Sequence, residues 1–185
     1  MKISSNSPIT FSVWTNKSYY IVEYLTMILI ALGVVGITAG SHSIGLPLYK
    51  LNPMHWVIYI TILLRKPSIS SIIVLAIALP LTSNMLTGHP IVIKSMIMGF
   101  ELALYGLIFI YLIKYFNLAP IFAYLISQFS GRMAYYGLKY TLIKAELIDG
   151  FLVSTSIILQ IIILVVLGIV LLLLDKKQLT RKLKY

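Results

Sequence analysis

The sequence predicts an all-α integral membrane protein with six transmembrane helices and both termini in the cytoplasm. Of its 185 residues, 59% are hydrophobic and only 11% are charged, and the mean hydropathy is +0.97. An ordinary soluble domain carries roughly 25% charged residues. We therefore expect a single multi-pass domain over residues 1–185, located in the plasma membrane.

The individual spans follow from the thickness of the bilayer, because about 20 mostly apolar residues in a helix cross its core of about 30 Å. A polar cytoplasmic lead-in over residues 1–18 precedes the first apolar run. The predicted spans are 19–39, 44–64, 68–86, 91–113, 117–138 and 151–174, and a basic cytoplasmic tail covers 175–185. A cleaved signal peptide is a weaker alternative for the first span, since residues 38–41 faintly resemble a cleavage site.

Each span carries a feature that helps to define it. The first holds Glu23 near its start, and the second has only 14 charge-free residues before Arg65, so it is short, tilted or preceded by a re-entrant segment. Pro80 predicts a kink in the third span. The fourth span contains Glu101, the fifth contains Arg132, and the sixth contains no charged residue.

The distribution of basic residues predicts the orientation. The net charge is +10, and ten of the 15 basic residues fall on the side that holds both termini, as the positive-inside rule requires of a cytoplasmic side. These ten are Lys2, Lys17, Arg65, Lys66, Lys114, Lys176, Lys177, Arg181, Lys182 and Lys184. Nucleic-acid binding is a poor explanation for the charge, because the basic residues lie between or beside apolar runs.

The residue inventory argues against an enzyme. The chain has no cysteine, three histidines and five acidic residues, so we expect no metal and no cofactor. It lacks the P-loop, H-E-x-x-H and G-x-S-x-G motifs. If the chain moves a solute, the energy has to come from a partner protein.

Two charged residues within the spans are the main candidates for function. Glu101 lies seven residues after Lys94, and Arg132 lies seven residues before Lys139, so each is about 10 Å from the outer end of its helix. Charges inside a membrane are costly and usually face a cavity or a partner. We predict that these two side chains meet across consecutive antiparallel helices.

Further polar side chains extend this candidate site. Tyr105 follows Glu101 by one helical turn, and Gln128 and Tyr136 flank Arg132 at the same spacing. Gly131 would admit close approach of another helix, and Gln160 is a lone amide in the sixth span. A purely structural role is the alternative: the ion pair fixes helix register, Gln160 bonds a neighbouring helix, and the scattered histidines are solvated.

Several segments together resemble one transporter family. Segment 100–106 reads FELALYG, 130–138 reads SGRMAYYGL, 83–90 reads SNMLTGHP and 157–163 reads IILQIII. With Leu46-Pro47 and Pro53-Met54-His55, these resemble, in order and spacing, the substrate-binding membrane subunit of energy-coupling factor (ECF) transporters. The resemblance covers about residues 46–174. It departs from the family at 154–156, where a Pro-Gly pair is usual, and in the separation of Leu46-Pro47 from the Pro-Met-His segment.

The resemblance implies a six-helix subunit that captures a vitamin or related micronutrient in an outward-facing pocket. It implies two kinds of partner, a membrane coupling subunit and two cytoplasmic ATPases, and release of substrate by reorientation in the lipid bilayer. The candidate substrate-binding residues are Glu101, Arg132, Gln160, Asn84, Tyr105, Tyr136, His55 and His89. The candidate contacts with the coupling subunit are the small residues Ala31, Gly33, Gly36 and Ala39.

The sequence leaves the substrate and the class of protein open. Riboflavin, pantothenate, a nucleobase, a corrin, haem and an amine-containing vitamin all remain possible substrates. A non-transporting membrane scaffold is the main alternative, with the pair of Glu101 and Arg132 as a structural element. A stand-alone secondary carrier is a weaker alternative, because the chain is small and has few titratable groups.

Overall fold

The computed structural model describes residues 17–43, 52–88, 90–148 and 157–182, which form six α-helices and no strand. The helices are α1 (Lys17–Ser43), α2 (Pro53–Arg65), α3 (Ile69–Thr87), α4 (Val92–Phe116), α5 (Pro120–Lys144) and α6 (Ile157–Lys182). The predicted all-helical class is confirmed for these residues, and each helix corresponds in order to one predicted span.

Three of the described helices are long and apolar enough to cross a membrane. They are the segment Tyr19–Ser41 of α1, the whole of α3 and the whole of α4, with mean hydropathies of 2.2, 1.9 and 2.1. Helix α2 has 13 residues and is therefore about 20 Å long. Helix α6 contains a shorter apolar segment, Gln160–Leu174.

The helix boundaries follow local stop and start signals. The Ser68 hydroxyl accepts from the backbone N–H of Ser71 at 3.2 Å and so caps α3, which ends where Gly88 adopts a φ of 71°. Pro53 and Pro120 occupy the first positions of α2 and α5, where a missing N–H costs nothing.

Two predicted boundaries differ from the structure. Helix α5 continues to Lys144, six residues past the predicted end of the fifth span, and α6 continues to Lys182, well into the predicted basic tail. Each extension contains one Leu and at least two Lys, which favour a helix, and neither extension is apolar throughout. The lead-in up to residue 16, the start of the second span at 44–51 and the start of the sixth at 151–156 lie outside the described residues.

The packing places α3 between α1 and α4, and α4 between α3 and α5. Helix α2 lies against α4 and α3, and α6 lies against α5 and α2. Glycines permit two of these approaches: a Cβ at Gly99 would lie 3.5 Å from the Cα of Ile77, and one at Gly106 would collide with the side chain of Ile72. Small residues therefore set the close contact of α3 with α4.

An aromatic cluster occupies the centre of the bundle. The ring of Tyr59 lies 4.9 Å from that of Phe109 and 5.0 Å from that of Tyr124, both edge-on, and 6.3 Å from that of Tyr105. All four side chains are at most 1% exposed. The Tyr59 hydroxyl lies 2.9 Å from Ser127 Oγ, so these two buried hydroxyls form a hydrogen bond with each other.

A second polar contact joins α1 to α3. The Glu23 carboxylate accepts from the backbone N–H of Ser68 at 2.8 Å and from its hydroxyl at 3.3 Å. The hydroxyl of Tyr24, the residue after Glu23, donates to Ser70 Oγ, two residues after Ser68, at 3.0 Å. The charge near the start of the first span thus stabilises the N-terminus of α3.

The small residues of α1 divide between two faces. Ala31 is fully buried between Met27 and Val35 on the face that packs into the core. The prediction that it contacts a partner is therefore wrong for the chain as it is folded here, because a stretch of uniformly small and apolar residues does not reveal which face turns inward. Gly33 and Gly36 are exposed with open space around them, and Ala39 is half-buried.

Candidate functional site

The candidate site is built around the carboxylate of Glu101, which is 2% exposed on α4. Arg132 of α5 places Nη1 at 3.0 Å from Glu101 Oε1, which confirms the predicted meeting of the two charges. The Tyr105 hydroxyl, one turn along α4, donates to the same oxygen. Two donors on one oxygen, one of them charged, offset part of the cost of burying the carboxylate.

Gly131 allows Tyr105 to occupy this position. A Cβ at Gly131 would overlap the edge of the Tyr105 ring, with Cζ at 3.1 Å and two other ring carbons closer. The ring therefore lies directly on the backbone of α5, beside Arg132. Gly131 was predicted to admit another helix, and the group that it admits is this aromatic side chain.

His55 approaches the pair from α2. Its Nε2 lies 3.8 Å from Glu101 Oε1, which is too long for a hydrogen bond, and its ring lies 4.9 Å from that of Tyr105. The residue is 6% exposed, and neither ring nitrogen has a hydrogen-bond partner in the described part of the chain. A buried polar group without a partner is costly, so His55 is the group here that most needs an additional partner.

A cavity of about 390 Å³ lies next to these residues, between α2, α5 and α6. Its polar lining comes from Asn52, His55, Gln128, Arg132 and Gln160. The remaining lining is apolar or aromatic: Tyr124, Leu125, Phe129, Ile161, Ile163, Leu164 and Leu167. Ligand sites typically have volumes of about 300–1,000 Å³ and a few polar groups in an apolar wall, and this cavity fits that description.

The predicted binding residues separate into those at the cavity and those away from it. His55, Arg132 and Gln160 line it, and Glu101 and Tyr105 lie behind Arg132. Tyr136 is placed at the edge of the group, where its hydroxyl accepts from Gln160 Nε2 at 3.5 Å.

Asn84 lies outside this group. Its Nδ2 donates to the carbonyl of Pro90 at 2.6 Å, and the Ser95 hydroxyl donates to the same carbonyl at 3.1 Å. The amide thus fastens the turn between α3 and α4 and does not line the cavity. His89, in the same turn, lies outside the described residues.

Three lining residues that carry a polar side-chain group were absent from the predicted binding set. Asn52 and Tyr124 carry no sequence signal for a site, since one precedes a helix and the other is one of 13 tyrosines. Gln128 shares a helix face with Arg132 and was identified only as its neighbour. Its position one turn before the arginine, on a helix buried on that face, was the signal for including it.

The arrangement can hold a small molecule. No group of three or more metal-ligating side chains lies together in the described part of the chain. The polar groups of the cavity can donate and accept hydrogen bonds, and its walls can cover apolar surface. Comparisons with protein-family models, with curated proteins and with solved structures find no match to this chain.

Proposed function

We propose that this chain is the substrate-capture membrane subunit of an ECF-type, ATP-driven importer for a vitamin or related micronutrient. The observation that carries the proposal is the cavity of about 390 Å³ whose polar lining includes His55, Arg132 and Gln160. All three belong to segments that resemble the family, and they come from three helices that are distant in sequence. A subunit that captures a solute needs such a cavity, whereas a scaffold does not.

The proposal includes six membrane spans with both termini in the cytoplasm. Ten of the 15 basic residues then lie on the cytoplasmic side, which supports this orientation. In this orientation Lys94 and Lys139 lie toward the outer ends of α4 and α5, and Asn52 and His55, at the outer end of α2, line the cavity. Substrate would enter from outside and leave after the subunit reorients in the membrane.

Partners would supply the energy, because the chain contains no P-loop. The exposed glycines of α1, Gly33 and Gly36, support a membrane coupling subunit as one partner: a Cβ at either position would meet nothing within 4 Å. A bare helix face allows a second helix to approach closely. Two ATPases would bind that coupling subunit on the cytoplasmic side.

Gentle purification of the tagged chain from its native membrane, followed by mass spectrometry, tests the proposal. We expect a larger membrane subunit and two ATPases to be recovered with it. Replacing Gly33 and Gly36 by leucine should reduce their recovery, and Gly137→Leu provides the matched control, since Gly137 is also an exposed helical glycine with open space around it. Recovery of the intact chain alone, even after crosslinking, would contradict the proposal.

The scaffold function is the second candidate, and the buried ion pair favours it. Glu101 and Arg132 join α4 to α5 directly at 3.0 Å, as a purely structural pair would. This function requires no small molecule and no ATPase partner. The same purification therefore separates the two candidates.

A further inference from the structure

We infer that the ligand of the cavity between α2, α5 and α6 is an uncharged molecule with an amide- or lactam-like edge and an apolar body. The inference rests on the proposed capture function and specifies the chemistry of its substrate. Three properties of the cavity carry it: the balance of charge, the hydrogen-bonding groups at one side, and the apolar remainder of the wall.

The charges at the cavity already balance. Arg132 is the only lysine, arginine or acidic residue among the described lining residues, and its guanidinium lies 3.0 Å from the Glu101 carboxylate. An anionic ligand that took the guanidinium would leave Glu101, which is 2% exposed, without its charged partner. A cationic ligand would meet the guanidinium itself. A neutral ligand disturbs neither group.

The polar side of the cavity calls for both donors and acceptors. Neither ring nitrogen of His55 has a hydrogen-bond partner in the described part of the chain, and a neutral imidazole presents one donor and one acceptor. Both nitrogens are covered by protein, so a ligand would meet them when the ring turns toward the cavity. The amides of Asn52, Gln128 and Gln160 in the same lining also present both kinds of group. A ligand edge with an N–H beside a C=O, as in an amide or lactam, complements this set.

The rest of the wall offers no comparable polar group. Tyr124 contributes its ring, because its hydroxyl already donates to the carbonyl of Leu164 at 3.2 Å. Aliphatic side chains of α6 and the rings of Phe129 and Tyr124 complete the wall. Transfer of an apolar part of the ligand, such as a ring system, from water to this surface would be favourable in free energy.

The test uses the purified full-length chain in lipid nanodiscs and a small-molecule cell extract separated by ion exchange into neutral, anionic and cationic fractions. Compounds retained by the immobilised protein are released by denaturation and identified by mass spectrometry. His55→Phe and Gln128→Met remove polar groups from the lining, and Tyr140→Phe, an exposed site on α5, is the control. Thermal unfolding of each variant establishes that it is folded.

We expect retention from the neutral fraction, with about tenfold weaker binding in His55→Phe or Gln128→Met and no change in Tyr140→Phe. Retention of anionic or cationic compounds would overturn the inferred ligand class and leave the capture function standing. Absence of retention from all three fractions by the folded chain would overturn the capture function and the ligand class together.

Discussion

The Glu101 carboxylate receives contacts from its own helix and from α5, and it lies close to α2 as well. Its oxygen Oε1 accepts from Arg132 and from Tyr105, and His55 is 3.8 Å away. A buried charge held in this way is stable only while its partners remain, because the pair as a whole replaces the water that each charge has lost. Removing one charge is therefore far more damaging than removing both.

We expect Arg132→Ala to lower the free energy of unfolding by about 3 kcal/mol or more, since it leaves the Glu101 charge buried and unpaired. The double variant Glu101→Gln, Arg132→Met should recover at least half of that loss, because the amide can still accept from Tyr105. Thermal unfolding in detergent measures both, with Lys144→Ala as an exposed control on the same helix. A loss in the double variant as large as that in Arg132→Ala would contradict the pairing.

The sequence was sufficient to predict the pairing of Glu101 with Arg132. A charge inside an apolar span needs a partner, and these two residues lie at the same distance from the outer ends of their predicted helices. The sequence was not sufficient to bring Asn52 and Gln128 into the same lining, since that depends on how α2 packs against α5. The prediction that Asn84 binds substrate failed for a related reason. An amide near a helix end can bind a ligand or stabilise a turn, and the sequence does not distinguish the two roles.

At the scale of the helices, glycines set the distances between neighbours, and their effects depend on what each one faces. Gly99 and Gly106 face α3, and Gly131 faces the ring of Tyr105, whereas Gly137 on the same helix faces open space. The sequence shows four glycines in similar apolar surroundings. Only the packing distinguishes the glycines that are required from those that are not.

Alanine substitutions on α5 should therefore have opposite effects at two glycines six residues apart. Gly131→Ala should lower the free energy of unfolding by about 1–3 kcal/mol, because the new methyl group overlaps the Tyr105 ring and forces it to move. Gly137→Ala should raise it by up to about 1 kcal/mol through better helix propensity. Thermal unfolding of the two variants, measured side by side, checks this, and a similar response at both positions would contradict the packing.

The contact of α1 with α3 provides a second prediction for the helices. Glu23→Ala should lower the free energy of unfolding by about 1–3 kcal/mol, because the backbone N–H of Ser68 loses an ionised acceptor. Glu146→Ala, at an exposed acidic residue after α5, should change it by less than about 0.5 kcal/mol. Loss of the same size in both variants would mean that the carboxylate of Glu23 contributes nothing specific.

Helix existence and order were predictable from the sequence because apolar runs alternate with short polar connections. Helix ends were predictable to within a residue or two for α3, where Ser68 and Gly88 mark the limits. The ends of α5 and α6 were not predictable in this way, because both helices continue beyond their apolar segments through residues that include lysines. The inward face of α1 was not predictable either, since apolar residues occur all around it.

For the whole molecule, the proposed topology can be tested with single cysteines, because the natural chain has none. A cysteine at Glu146, after α5, should react with a membrane-impermeant maleimide on intact cells. A cysteine at Asn117, between α4 and α5, should react only after permeabilisation. Labelling of both positions, or of Asn117 alone, from outside would contradict the proposed orientation.

The way in which α6 is attached to α5 bears on how a bound molecule enters and leaves the cavity. The hydrogen bonds described between α5 and α6 are long: Tyr124 to the Leu164 carbonyl at 3.2 Å and Gln160 to Tyr136 at 3.5 Å. By contrast, a charged pair joins α4 to α5 at 3.0 Å, and the Glu23 carboxylate of α1 accepts from the N-terminus of α3 at 2.8 Å. We therefore expect α6 to move before the other helices when a molecule enters or leaves the cavity.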